Sequence, residues 1–425
     1  MVNNLLSAWS TVGSVLLAIL ILLVMITIHE LGHYLAGKIL QFKIDEFSIG
    51  FGPALYKRRS KKTGEVFALR LIPLGGYCAF AGEDGLEELP EPAPPEPFAE
   101  TAQTQNAPAM SEGRAEQTAK TAAPALPAEG TEPPTEQEKA HWFVNRKPWQ
   151  RIIVLAAGAL MNYLLAVVLI IICFFAFGQT MVAVYEAEPT AIPAAYCLQD
   201  RDILLEAEGR SLYLTTDVAK ALNGKKEGER VSFRISRLFT NEAGESYREE
   251  MDVEVQLRAD VVVENSADFS SVWRALGIRY EETEEGGSYL LASAAYRFGF
   301  WETLGRSFVY SFKIAGSIFQ ILGELFTGKL GLSVLGGPVS TIAITSQVAG
   351  SSLRGFLEIA GYIGVNLAVF NLLPIPALDG SKIVFTVIEW IRGKPVNRKV
   401  EAIIHFAGLV LLLGFAVLVD ILQFV

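Results

Sequence analysis

His29-Glu30-Leu31-Gly32-His33 follows directly on the apolar run Ala8–Ile28, so two histidines and a glutamate stand at the edge of a stretch long enough to cross a bilayer. On a helix, positions i and i+4 share one face, so the two imidazoles can meet one metal ion while Glu30 points beside it as a general base. The competing reading, two surface histidines near lipid headgroups, is weakened because ionisable groups inside membrane helices are costly and usually functional.

Composition fits that placement. The chain has 425 residues, 51% hydrophobic and 19% charged, with a mean hydropathy of +0.33, too apolar for an ordinary soluble protein yet with room for a soluble part. Three cysteines, Cys78, Cys173 and Cys197, show neither a disulfide framework nor ligand spacing. Of the four histidines, His141 and His405 lie far from the motif in sequence, which favours Asp or Glu as a third ligand. No cleavable signal peptide is expected, because Met1–Asn4 lacks a basic region and the apolar run continues straight into the motif.

Three further runs can span: Ile152–Phe177, Phe356–Leu373 and Ile403–Phe424. Phe308–Phe326 is apolar but interrupted by Lys313, Gln320 and Glu324, and suits an amphipathic helix at the interface, with a fifth span as the alternative that would break the parity of the loops. Basic residues cluster at Lys57, Arg58, Arg59, Lys61 and Lys62, at Arg146, Lys147 and Arg151, and at Lys382, Arg392, Lys394, Arg398 and Lys399. They mark the first and third loops as cytoplasmic and the segment from about 178 to 354 as extracytoplasmic. Within the first loop, 86–140 holds ten of the 19 prolines and eleven Glu against Arg114, Lys120 and Lys139, a net −8 that accounts for most of the chain's −10. That composition predicts a disordered, solvated spacer.

Between span and spacer, Phe47–Tyr56 and Val66–Leu71 read as a β-hairpin associated with the membrane. Gly50, Gly52, Gly75 and Gly76 around it permit close backbone approach, so an exposed edge could take up an unwound substrate segment by strand addition; a hairpin merely packed beneath the membrane fits the spacing equally well. Beyond the second span, strands at Met181–Tyr185, Ile203–Ala207, Val231–Ser236 and Val253–Leu257, with a helix at Thr216–Leu222, come in an order that resembles a PDZ domain. Cys197 and Gln199-Asp200-Arg201 stand where such domains carry small residues and Gly.

Asn371-Leu372-Leu373-Pro374-Ile375-Pro376-Ala377-Leu378-Asp379-Gly380 then breaks an apolar helix with two prolines and ends in a carboxylate at membrane depth. Broken helices are tolerated there only inside protein or along a cavity. Asp379 without a cation is a costly charge; beside Zn²⁺ it supplies the oxygen ligand the histidine pair lacks.

Taken together these residues resemble the bacterial branch of the site-2 protease group of intramembrane zinc metalloproteases with one PDZ domain. His29–His33 matches that group's active-site motif, Asn371–Gly380 its N-x-x-P-x-P-x-L-D-G motif, Ile72–Tyr77 the stretch after its hairpin, and Gly336-Gly337-Pro338 a segment before the third span. Departures are Ala157-Gly158-Ala159 ahead of Asn162, where Ala-Gly-Pro is usual, Ser381 after Asp379-Gly380, and the acidic insertion.

The resemblance implies Zn²⁺ held by His29, His33 and Asp379, Glu30 as base, and oxyanion stabilisation by Asn371 or Asn366, although an Asn at a broken helix can equally cap backbone groups. It further implies an endopeptidase that cuts single-span membrane proteins, such as anti-sigma factors or remnant signal peptides, in regulated intramembrane proteolysis. The expected fold is a polytopic α-helical membrane protein of the bacterial cell membrane. It would have four spans, a cytoplasmic-side β-hairpin and an extracytoplasmic PDZ-like α+β domain that contacts the substrate ectodomain or its new C-terminus.

The expected segments are 1–40, 41–85, 86–140, 141–178, 179–262, 263–354, 355–400 and 401–425. Partners are the lipid bilayer and membrane-protein substrates, with no nucleic acid. A metal transporter leaves Glu30 and the PDZ-like domain unexplained, and an intact ligand set argues against a catalytically dead scaffold.

Overall fold

A computed structural model describes residues 2–83, 135–283, 286–332 and 335–424. The chain opens with α1 (Val2–Ile39), an uninterrupted helix that stops where Gln41 turns left-handed, with φ 58°. The strands β1 (Ile44–Arg59) and β2 (Val66–Phe80) follow, then a short helix α2 (Glu136–Lys139) and α3 (Pro148–Phe177). After the outer domain come α6 (Phe300–Phe326), α7 (Pro338–Ser351), α8 (Leu353–Leu372), α9 (Asp379–Arg392) and α10 (Arg398–Phe424).

Among the described residues, four helices are long and apolar enough to cross a membrane: 12–39, 148–177, 353–372 and 398–422. The chain is therefore a polytopic membrane protein. With lipid as apolar as any side chain, helix association there rests on close packing, and small residues let backbones approach. Gly361 and Gly364 of α8 face Ile170 and Ala166 of α3 so tightly that an added Cβ would come within 2.9 Å of each. Met25 of α1, Ala360 of α8 and Ala349 of α7 close a core on one side, and Ile170, Ile314 and Val365 close another between α3, α6 and α8.

The β1–β2 pair is more folded than a simple hairpin. Glu46, Phe47, Ser48 and Ile49 pair on one side with Ala79, Cys78, Tyr77 and Gly76, and on the other with Val66, Phe67, Ala68 and Leu69. The same 66–69 stretch also pairs with Arg59, Arg58, Lys57 and Tyr56, so each strand doubles back and four strand segments lie side by side. Arg70 ties them together: it donates to Ser48 Oγ (2.9 Å), to the Gly52 carbonyl (2.8 Å) and to Glu46 Oε1 (2.5 Å), and the Tyr77 hydroxyl donates to the same Glu46 oxygen (2.7 Å).

Of the segment expected to be a disordered spacer, 86–134 lies outside the described residues. Thr135–Ala140, its last part, is instead ordered as α2, because Thr135 and Glu138 cap one another reciprocally.

Between α3 and α6 lies an α+β domain of β3 (Gln179–Val184), β4 (Ile203–Ala207), β5 (Arg210–Ser211), α4 (Thr215–Leu222), β6 (Arg230–Thr240), β7 (Ser246–Gln256), α5 (Ser270–Leu276), β8 (Tyr280–Thr283), β9 (Gly286–Tyr289) and β10 (Leu291–Tyr296). Its antiparallel sheet runs β10-β3-β4-β6-β7, with β5 beside β4, over a core that includes Phe233, Leu222, Ile235 and Leu276. The boundary expected at 262 falls too early, because Leu-Ala-Ser-Ala-Ala-Tyr (291–296) has no β-branched residue to mark it as a strand, yet it pairs with β3 along its whole length. The stretch expected as linker plus amphipathic helix (263–354) thus also carries α5, β8 to β10 and α7, and the amphipathic helix begins at Phe300 rather than Phe308.

Among the contacts that fasten this domain to α6 and α8, two groups stand out. Arg306 of α6, buried between the Phe298 and Tyr213 rings, donates to Gln179 Oε1 at 2.7 Å and to the Leu212 carbonyl. Thr180 of β3 donates to Glu358 of α8 at 2.5 Å, while Arg354 bonds both.

Candidate metal centre

His29 and His33 are buried on one face of α1, with their Nε2 atoms 3.1 Å apart. Asp379, in the first turn of α9, brings Oδ2 to 2.9 Å from His29 Nε2 and 3.3 Å from His33 Nε2. A tetrahedral zinc with bonds of about 2.0–2.1 Å places its ligand atoms about 3.3 Å apart, so two imidazole nitrogens and one carboxylate oxygen at these separations fit three corners of a Zn²⁺ site. These three residues form the group of potential ligands found among the described residues.

The surroundings orient the ligands. His33 Nδ1 lies 2.8 Å from the Val154 carbonyl of α3; donating there, it leaves Nε2 as a lone-pair donor. The Asn371 side-chain nitrogen Nδ2 lies 3.3 Å from His29 Nδ1; with the amide turned over, its oxygen would accept the Nδ1–H and leave Nε2 free for a metal. Two glycines let the helices come this close. A Cβ on Gly158 would overlap both imidazoles, and one on Gly32 would overlap the Ala157 carbonyl oxygen. In the sequence, Gly158 stood within Ala157-Gly158-Ala159, noted only because Ala159 replaces a usual Pro.

Asp379 is brought to the histidines by a different device. Helix α8 ends at Leu372, and the two-proline segment turns back so sharply that a Cβ at Gly380 would overlap the Leu372 and Leu373 carbonyls. That reversal aims the first residues of α9 at α1. Asn366 is not drawn in: its amide donates to the Tyr362 carbonyl one turn back on its own helix (2.8 Å).

The sheet borders the same space. A Cβ at Gly76 would lie 3.3 Å from Glu30 Cγ, which puts the 76–79 edge segment beside the glutamate. Gly50, Gly52 and Gly75, at φ 84°, 83° and 107°, form the reversals farther along the sheet and do not touch Glu30. Cys78 lies in this edge segment, and burial pushes its thiol well above the ordinary range. His405, set aside as remote, proves to touch the ligand-bearing loop: the Ala377 N–H donates to its Nδ1 at 3.1 Å. Nothing local in the sequence announces that contact.

A family model described as "Peptidase family M50" matches residues 17–415. The chain is 29% identical to the regulator of sigma-W protease RasP of Bacillus subtilis, over 95% of this chain and 96% of that protein. It is also 27% identical to the zinc metalloprotease RasP of Bacillus licheniformis, over 94% and 96% of the two chains, and 26% identical to the zinc metalloprotease RasP of Geobacillus kaustophilus, over 95% and 96%.

Proposed function

This chain belongs to peptidase family M50, the site-2 proteases, and is a zinc metalloendopeptidase, and from that premise we propose that it cuts single-span membrane proteins within or beside their transmembrane segments. The observation that carries this reading is the meeting of His29, His33 and Asp379 from separate segments of the chain, next to Glu30 and the outermost strand segment 76–79.

His29, His33 and Asp379 hold the zinc. When bound, zinc supplies a Lewis acid that acidifies water and polarises a carbonyl. Glu30 removes a proton from the attacking water and returns it to the leaving amine. Asn371 holds the His29 ring and donates to the developing oxyanion, a role for which Asn366, bonded to the Tyr362 carbonyl, is not placed. A helical substrate hides its amides in its own hydrogen bonds, so it must unwind before attack; the 76–79 edge, bent by Gly50, Gly52, Gly75 and Gly76, receives the extended segment by strand addition.

The domain between β3 and β10 is PDZ-like and extracytoplasmic, where it meets the substrate ectodomain or its new C-terminus. The basic loops put the active site toward the cytoplasmic side of a bacterial cell membrane. Anti-sigma factors and remnant signal peptides, already shortened outside, have the required form, and one relative is named for regulating sigma-W.

The test expresses wild type and Glu30→Gln with a tagged single-span substrate in membranes. We expect cleavage by wild type alone, with zinc content equal in the two proteins. Cleavage that persists in the variant removes Glu30 from the mechanism.

A further inference from the structure

The loop that delivers Asp379 is gripped by α10 at two points. Ala377 has φ 79°, in the left-handed region where a Cβ crowds the backbone, and a non-glycine residue stays there only when its surroundings hold it. Its N–H donates to His405 Nδ1 at 3.1 Å. One turn further along α10, Gly408 sits so close to Pro376 that any Cβ would overlap the proline. Neither contact is with Asp379 itself; both hold the residues that set its direction.

The imidazole is fixed in its turn. It packs on Phe385 of α9, ring centres 5.7 Å apart, and it borders a cavity of about 370 Å³ shared with Glu83, Arg151, Lys382 and Glu401. His405 Nε2 is buried with no partner in the protein. An acceptor at Nδ1 requires the proton on Nε2, and a polar cavity of this size has room for a water to receive it.

We propose that His405 is a positioning residue for the metal centre: its Nδ1 lone pair holds Ala377 in the left-handed turn and thereby keeps the Asp379 carboxylate aimed at His29 and His33. The proposal rests on the reading of Asp379 as a zinc ligand. It assigns to the last membrane helix a part in metal retention, and it makes the position of one acceptor atom decisive. An Asn side chain places its oxygen where Nδ1 stands; a Gln side chain reaches instead toward Nε2.

Zinc-loaded wild type, His405→Ala, His405→Asn, His405→Gln and the double variant His405→Ala with Ala377→Gly are compared by the rate of zinc loss to an excess of chelator, and then by kcat and KM on a single-span substrate. His405→Ala and His405→Gln should lose zinc on the order of tenfold faster, in the range seen when outer partners of metal ligands are removed. Their kcat should fall in step and KM stay near the wild-type value. His405→Asn should retain zinc like the wild type. Ala377→Gly should restore retention to His405→Ala, because glycine adopts the left-handed turn unaided.

Equal loss in all three His405 variants, normal retention in His405→Ala, or no recovery from Ala377→Gly overturns the proposal. If His405→Ala does not fold, the Asn and Gln pair and the double variant decide. Zinc loss is read without substrate, so failure here and persistent cleavage by Glu30→Gln are separate results.

Discussion

On α1, His29 and His33 are placed by helical periodicity: four residues apart, they share a face whatever lies elsewhere in the chain. Across the site, Asp379 is placed by an excursion from Leu373 to Asp379 that leaves α8, turns back on it at Gly380, passes through a left-handed alanine and leans on α10. One half of the site is written locally and the other is assembled. The assembled half depends on α8, α9 and α10 together, so damage far from the ligand should reach it, whereas the α1 half should yield only to changes that spoil its contact with α3.

The largest effect should come from deleting the assembled ligand. Asp379→Ala leaves two nitrogens and should lose zinc during purification, with activity falling by at least about 10³-fold, beyond the 10–100-fold typical of outer partners. Metal analysis of the purified protein checks it, and a variant that keeps stoichiometric zinc would mean that another group completes the site.

Next comes a change that leaves the His-Glu-His spacing intact. Gly32→Val preserves every chemical group of the α1 half but drives a side chain into Ala157, so it should lower stability by about 1–3 kcal/mol and abolish most activity. Thermal unfolding and cleavage, measured together, test this, and a fully active Gly32→Val would show that the local half needs no close approach to α3.

Smaller again is Asn371→Ala, which frees the His29 ring and should weaken zinc binding by about 10–100-fold, while Asn366→Ala leaves it near the wild-type value. Equal effects in a chelator competition would erase the distinction between the two asparagines.

The smallest effect concerns the sheet beside Glu30. Burial raises the Glu46 carboxyl, but hydrogen bonds from Arg70 and Tyr77 outweigh it and hold the group below its ordinary value of 4.5. A carboxylate depressed in the folded state stabilises above its unfolded value and loses that contribution as pH falls through the folded one. Proteolytic sensitivity of the β1–β2 region should therefore rise below about pH 4.5 in wild type, and the acid-side slope should flatten in Glu46→Gln, by less than about 1 kcal/mol for so accessible a pair. An unchanged slope would remove Glu46 as its source.

The same division decides what could be read from the sequence. The histidine pair, Glu30, the four apolar runs and Asp379 were legible because each is a local pattern, a spacing or a charge out of place. Asn366 and Asn371 looked interchangeable as letters, yet five residues turn a helix by roughly 500°, which sets them about 140° apart; only Asn371 reaches His29. The strand 291–296 was hidden by its Ala and Ser composition, and the doubling back of β1 and β2 by the absence of any pattern that distinguishes it from a hairpin. His405 and Gly408 were out of reach altogether, because their relevance exists only once α10 lies against the turned-back loop.

The 350 residues between His29 and Asp379 also set a clock. At about 5–20 residues per second, synthesis needs roughly 20 to 70 s to carry the chain from its first ligand to its last. His405 and Gly408 come later still, in the final helix. On the proposed reading of His29, His33 and Asp379 as the ligands, the site therefore closes only after its last segment has been made.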